Sequence, residues 1–158
     1  MNTFGVIKGQ LQIRDAMIGV IATRFNGFIV EHLLAGALDA LRQHGIGEDS
    51  VEIARVPGAF ELALAAKAMA KRGKYDALIA LGCVIRGATP HFEYIASECA
   101  RGLSTIALEF DLPVAFGVLT TETIEQAIER AGAKGGNKGA DAAVTALEMI
   151  GLLRELNV

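Results

Sequence analysis

The chain has 158 residues, of which 52% are hydrophobic and 21% are charged, and its formal net charge is −3. This size and composition are typical of one globular domain with a sizeable core, so we predict a single domain over residues 1–158 with an N-terminal arm at 1–15. The negative charge argues against nucleic acid as the main partner, because phosphate backbones require a dense Lys/Arg face. No apolar run approaches the roughly 20 residues that cross a bilayer, and no secretory signal is present, which predicts a cytoplasmic protein without a membrane partner.

In chain order, apolar patterning predicts strands that alternate with helices. The predicted strands are 16–22, 51–56, 77–85 and 114–119, and the predicted helices are 30–43, 60–71, 91–109, 123–131 and 138–153. Such alternation implies a parallel sheet with right-handed crossovers. We therefore expect an α/β fold, a three-layer flavodoxin-like sandwich in which a four-stranded parallel sheet is flanked by helices.

Two features of the sequence predict a homo-oligomer. The second and last helices are rich in Ala and apolar around much of their circumference, which suits packing against neighbours. Residues 5–13 have no strand position in their own sheet, so we expect this N-terminal segment to pair with a neighbouring subunit.

The two cysteines, Cys83 and Cys99, do not have the spacing of a metal site or of a disulfide framework. Both are interpreted as buried thiols. A catalytic role for Cys83 is the less favoured alternative, because no basic group directly adjoins it.

The turn after the third strand combines the features of an anion site. Thr89 is expected to be the N-cap and Pro90 the first residue of the following helix. The backbone N–H groups of Gly87, Ala88 and Thr89, with the positive end of the helix dipole, would then face whatever lies above the strand end. A phosphate group fits this description.

Ligands of such sheets bind outside the carboxyl ends of the strands. Four segments are predicted to meet at this edge: 24–26, 58–61, 85–91 and Phe116. His91 lies within this group and is the candidate for proton transfer, against the alternative of a structural histidine.

Residues 132–139 are rich in Gly and contain two lysines, but they follow a helix and lack the Gly-Lys-Ser/Thr order of a P-loop. Two interpretations stay open. The segment is either a solvated loop between helices, or Arg130, Lys134 and Lys138 supply cations to an anion held elsewhere.

Five motifs together resemble the lumazine synthase family over about residues 16–153. They are Arg24-Phe25-Asn26, the run Val56-Pro57-Gly58-Ala59-Phe60-Glu61, residues 82–92, residues 116–120, and residues 125–132 with 135–139. The resemblance implies condensation of 5-amino-6-(D-ribitylamino)uracil with 3,4-dihydroxy-2-butanone 4-phosphate to 6,7-dimethyl-8-ribityllumazine, the penultimate step of riboflavin biosynthesis. It implies a transferase that needs no metal and no organic cofactor.

The resemblance also assigns roles to residues. His91 is the implied catalytic group. The residues implied for the pyrimidine substrate are Phe25, Ala59, Phe60, Glu61, Cys83, Val84, Ile85 and Phe116, and those implied for the phosphate ketone are Ala88, Thr89, Arg130 and Lys138. Phe116 and Arg130 would come from the adjacent subunit.

Family resemblance further implies pentamers, or twelve pentamers in a hollow icosahedral capsid, and it makes riboflavin synthase a candidate partner. Two alternatives compete with the enzyme. One is a non-catalytic flavodoxin-like module that binds a flavin or a phosphate ligand, and the other is a shell protein with a vestigial pocket.

Overall fold

The computed structural model describes residues 4–156. The strands are β1 (Ile18–Thr23), β2 (Val51–Val56), β3 (Ala77–Ile85), β4 (Val114–Thr121), β5 (Ala131–Ala133) and β6 (Gly136–Asn137). The α-helices are α1 (Gly27–Gln43), α2 (Leu62–Ala70), α3 (His91–Phe110), α4 (Ile124–Glu129) and α5 (Lys138–Glu155), and short 3-10 helices span Glu48–Ser50 and Ala59–Glu61. No helix within 4–156 is long and apolar enough to cross a membrane.

Strands β1 to β4 form one parallel sheet in the order β2-β1-β3-β4. The central strands β1 and β3 are apolar and almost completely buried, as expected of strands covered on both faces. Strand β2 lies at one edge and is half exposed. Strand β2 is added on one side of β1, and β3 and β4 are added on the other side. The order of the strands therefore reverses between β1 and β3, and sheets of this kind bind ligands at that point.

Helices cover both faces of the sheet. Helices α1 and α5 pack together on one face, and α2 and α3 pack together on the other. Helix α5 approaches α1 at Gly139, where a Cβ atom would lie only 2.0 Å from the carbonyl oxygen of Leu33. This three-layer architecture confirms the predicted fold class, and β3 has the predicted bounds.

Three local expectations are wrong. Residues 131–137 are not a plain interhelical loop but the antiparallel hairpin β5–β6, whose chain reversal uses positive φ angles at Gly132 and Gly136. Pro90, not Thr89, is the N-cap of α3, and no side chain caps this helix. Phe116 does not lie at the carboxyl edge of the sheet, because it pairs with Ala80 in the middle of β3.

The N-terminal segment has no regular secondary structure over residues 4–15 and lies against α5 of its own chain. A Cβ atom on Gly9 would be 1.9 Å from the carbonyl oxygen of Glu148, so the two backbones are in direct contact. Ile13 is buried in the core beside this helix. Pairing of the segment with a neighbouring subunit stays a prediction.

Candidate functional site

A cleft of about 610 Å³ lies above the carboxyl ends of β1, β2 and β3. Its volume is in the range of small-molecule sites. Its lining residues come from all three strand ends and from the start of α3: Phe25, Pro57, Gly58, Ala59, Phe60, Glu61, Cys83, Val84, Ile85, Gly87, Thr89, His91, Phe92 and Ile95. The three converging segments expected from 24–26, 58–61 and 85–91 are thus brought together.

The turn after β1 is held by hydrogen bonds to both neighbouring strands. The N–H of Phe25 donates to the carbonyl of Pro57 at 3.0 Å, which extends the β1–β2 ladder into the cleft. Asn26 has left-handed backbone angles, φ 56 and ψ 39, and its Nδ2 donates to the carbonyl of Cys83 at 2.8 Å. The ring of Phe25 is 71% exposed at the mouth of the cleft.

The segment after β2 forms a closed turn that fixes the carboxylate of Glu61. The N–H of Gly58 donates to Oε2 of Glu61 at 3.1 Å, and the N–H of Glu61 donates to the carbonyl of Gly58 at 3.2 Å. The neighbouring Phe60 ring is 60% exposed. Two large aromatic rings, Phe25 and Phe60, therefore reach open space from adjacent strand ends, an arrangement that suits a flat ligand.

Cys83, Val84 and Ile85 form the floor of the cleft at the end of β3. The Cys83 side chain is only 4% exposed, and burial raises its pKa to about 11. A thiol in this setting stays protonated at neutral pH and is a poor nucleophile. Both cysteines are buried and free, which confirms the predicted buried thiols.

The loop between β3 and α3 leaves a row of backbone donors open. Within residues 4–156, the N–H groups of Gly87, Ala88 and Thr89 donate no hydrogen bond, and all three residues are exposed. They precede the 20-residue helix α3, whose first residue, His91, is exposed and lines the cleft. An anion bound here would be stabilised by the free donors and by the helix dipole.

Four residues predicted for the site do not line this cleft. Ala88 is in the loop between two lining residues, and Phe116 is half exposed on β4. Nη1 of Arg130 donates to the carbonyl of Gln126 at 2.9 Å, and Nζ of Lys138 lies 3.4 Å from Asp141. That Phe116, Arg130 and Lys138 reach the site from an adjacent subunit stays a prediction.

Sequence reasoning placed Asn26, Arg86 and Phe92 in segments of the site but gave them no role, and it did not name Ile95. Asn26 connects the β1 turn to the end of β3, Arg86 connects the end of β3 to Glu122 and to α3, and Phe92 and Ile95 add apolar surface from α3. A signal for Asn26 was available, because Asn is among the few residues that adopt the left-handed conformation before a helix. The contacts of Arg86 depend on the direction of its side chain, which no sequence pattern specifies.

The described part of the chain, residues 4–156, contains no group of three His, Cys, Asp or Glu residues that could hold a metal ion. A protein-family model described as 6,7-dimethyl-8-ribityllumazine synthase matches residues 15–154. The match includes every segment that lines the cleft.

Proposed function

The chain belongs to the lumazine synthase family, and we propose that the cleft above β1, β2 and β3 is where it joins its two substrates. The family reaction is the condensation that forms 6,7-dimethyl-8-ribityllumazine in riboflavin biosynthesis, and the enzyme is a transferase acting on small molecules. The observation that carries the proposal is the convergence in one cleft of exposed aromatic rings, unpaired loop N–H groups and His91.

The pyrimidine substrate, 5-amino-6-(D-ribitylamino)uracil, would occupy the aromatic side of the cleft. Its ring would stack on Phe25 and lie over Cys83, Val84 and Ile85, because these residues provide an apolar surface. Its polyhydroxyl chain runs along residues 59–61, where the fixed carboxylate of Glu61 can accept hydrogen bonds.

The second substrate, 3,4-dihydroxy-2-butanone 4-phosphate, would place its phosphate on the loop before α3. The free N–H groups of Ala88 and Thr89 donate to phosphate oxygens without losing other partners, since they have none among residues 4–156. Arg130 and Lys138 of an adjacent subunit would complete the anion site.

His91 would move the protons of the reaction. The pyrimidine's own amine attacks the ketone, imine formation releases water, and phosphate leaves by elimination. In ring closure the ribityl-bearing amine attacks the remaining carbonyl, and loss of a second water completes the product. These steps require proton transfers, and the proposal is supported by the imidazole of His91, which lines the same cleft as the loop that would hold the phosphate. The remaining task of the cleft is to hold the two substrates in register.

We also propose a homo-oligomer, a pentamer or a capsid of twelve pentamers, with active sites between subunits. Exposed apolar side chains on α2 and α3, including Leu64, Tyr94 and Leu108, and the half-exposed edge strand β2 support this proposal. The arm at residues 1–15 of the single domain 1–158 would pair with a neighbour there. Riboflavin synthase is a candidate partner, and the cytoplasm is the proposed location.

The decisive test mixes the purified protein with both substrates and follows lumazine fluorescence. We expect saturable product formation that depends on protein concentration. A protein that binds phosphate but forms no product would favour the non-catalytic module or the shell protein. Arg130→Ala should raise the KM of the phosphate ketone more than that of the pyrimidine, and equal increases for both substrates would contradict its assignment.

A further inference from the structure

Arg86 connects three elements around the loop that precedes α3. Its backbone N–H donates to the carbonyl of Thr121 at 2.8 Å, which extends the β3–β4 ladder by one residue. Its Nε lies 2.7 Å from Oε2 of Glu122 at the end of β4. Its Nη1 is hydrogen-bonded to Glu93 in the first turn of α3, and its guanidinium carbon is 4.4 Å from the ring centroid of Phe92.

These contacts connect the two ends of the loop formed by residues 87–90. Residues 87–90 are all exposed, and the N–H groups of residues 87–89 donate no hydrogen bond among the described residues 4–156. Arg86 stands immediately before this loop, and Phe92 and Glu93 follow it by two and three residues. The guanidinium therefore fixes the distance between the end of β3 and the start of α3.

We propose that Arg86, with Phe92, Glu93 and Glu122, forms a clamp that holds the 87–90 loop in its phosphate-binding conformation and positions His91, without itself contacting phosphate. This inference rests on the proposed function and extends it. Arg86 is a positioning residue in this scheme, because its effect on the substrate is transmitted through the loop and through the first turn of α3.

The charges of the clamp support a positioning role over a direct one. One guanidinium faces two carboxylates, so its positive charge is already neutralised within the chain. The hydrogen bond from Arg86 lowers the pKa of Glu93, which keeps the pair ionised at neutral pH. A phosphate dianion would compete with both carboxylates for the same guanidinium, whereas the N–H groups of the loop are free.

Four variants test the clamp: Arg86→Ala, Arg86→Lys, Glu122→Ala and, as a matched control, Arg42→Ala. Arg42 is an exposed arginine that pairs with Glu48 and does not line the cleft. For each variant we would measure the KM of both substrates, the Kd of inorganic phosphate by calorimetry, and the midpoint of thermal unfolding.

We expect Arg86→Ala to raise the KM of the phosphate ketone and the Kd of phosphate about tenfold, and the KM of the pyrimidine by no more than about twofold. Arg86→Lys should have an intermediate effect, since a single ammonium cannot bridge two carboxylates with the same geometry. Glu122→Ala should weaken phosphate binding about threefold, although it removes a negative charge. The control should match the unmodified protein.

Three results would overturn the clamp. Tighter phosphate binding in Glu122→Ala would mean that the released guanidinium is itself a phosphate ligand. If Arg86→Ala leaves both KM values and the phosphate Kd unchanged, Arg86 does not position the loop. If both KM values rise equally and the unfolding midpoint falls, Arg86 is a general stabilising residue. If the unmodified protein binds phosphate but forms no lumazine, the proposed reaction fails, and the phosphate Kd values still decide on the clamp.

Discussion

Asn26 combines two properties that can be separated by mutation. Its backbone is left-handed, and its side-chain amide joins the β1 turn to the carbonyl of Cys83 at the floor of the cleft. Asn26→Gly removes the hydrogen bond but tolerates the backbone conformation, whereas Asn26→Ala removes the bond and strains the backbone. The two variants therefore share the loss of the hydrogen bond and differ in the strain of alanine and in the greater freedom that glycine gives the unfolded chain.

The expected sizes follow from these contacts. Loss of the hydrogen bond costs about 1 kcal/mol in either variant. Glycine adds roughly 0.5–1 kcal/mol by giving the unfolded chain more freedom. Alanine adds about 1–2 kcal/mol for a left-handed backbone. We thus expect Asn26→Gly to lower the free energy of unfolding by about 1.5–2 kcal/mol and Asn26→Ala by about 2–3 kcal/mol.

Urea unfolding at a fixed protein concentration, followed by far-UV circular dichroism, measures both values. Steady-state kinetics then tests the positioning effect, since both variants should raise the KM of the pyrimidine to a similar extent through the freed Phe25 turn. If Asn26→Gly is as unstable as Asn26→Ala, backbone strain is not the cause. If both retain the normal KM, the amide bond does not position the aromatic wall of the cleft.

Three further predictions concern other parts of the chain. His91→Ala should lower turnover roughly 10²-fold, whereas His44→Ala, away from the cleft, should not; an unchanged rate removes His91 from the mechanism. Burial raises the pKa of Cys83 to about 11, so iodoacetamide at about pH 8 should label this thiol only after denaturation. Rapid labelling of Cys83 in the folded protein would contradict its buried setting. Gly139→Ala should destabilise the fold by about 3 kcal/mol or more, because its Cβ would meet the backbone of α1, while Gly47→Ala faces open space; equal unfolding midpoints for the two variants would refute this packing argument.

The central part of the fold could be predicted from sequence because its signals are local. β3 is a continuous apolar run, and a run of this kind is buried on both faces of a parallel sheet. The rule that ligands bind beyond the strand ends then predicted that the segments of Phe25, Phe60 and His91 meet, and these three residues line one cleft. The same rule failed for Phe116, which is early in its strand.

What could not be predicted depends on side-chain direction or on very short elements. The amide of Asn26 donates to the carbonyl of Cys83, 57 positions away in the sequence. The guanidinium of Arg86 contacts both Glu93 in α3 and Glu122 after β4. Strands of two and three residues, such as β6 and β5, are too short for an alternating pattern to be visible. The N-cap of α3 is Pro90 and not the predicted Thr89, because no side chain caps this helix and the capping preference of Thr has no effect there.

The hairpin β5–β6 holds two cationic residues, Arg130 and Lys138, next to each other through a hydrogen bond between their main chains. The N–H of Lys138 donates to the carbonyl of Arg130 at 2.9 Å, and Asn137 ties the base of the hairpin to α1 through the carbonyl of His32 at 2.9 Å. The tip is held as well, because the N–H of Gly135 donates to the carbonyl of Glu129 at 2.7 Å. The distance between these two positive charges therefore depends on main-chain contacts along the whole hairpin and not on the side chains alone.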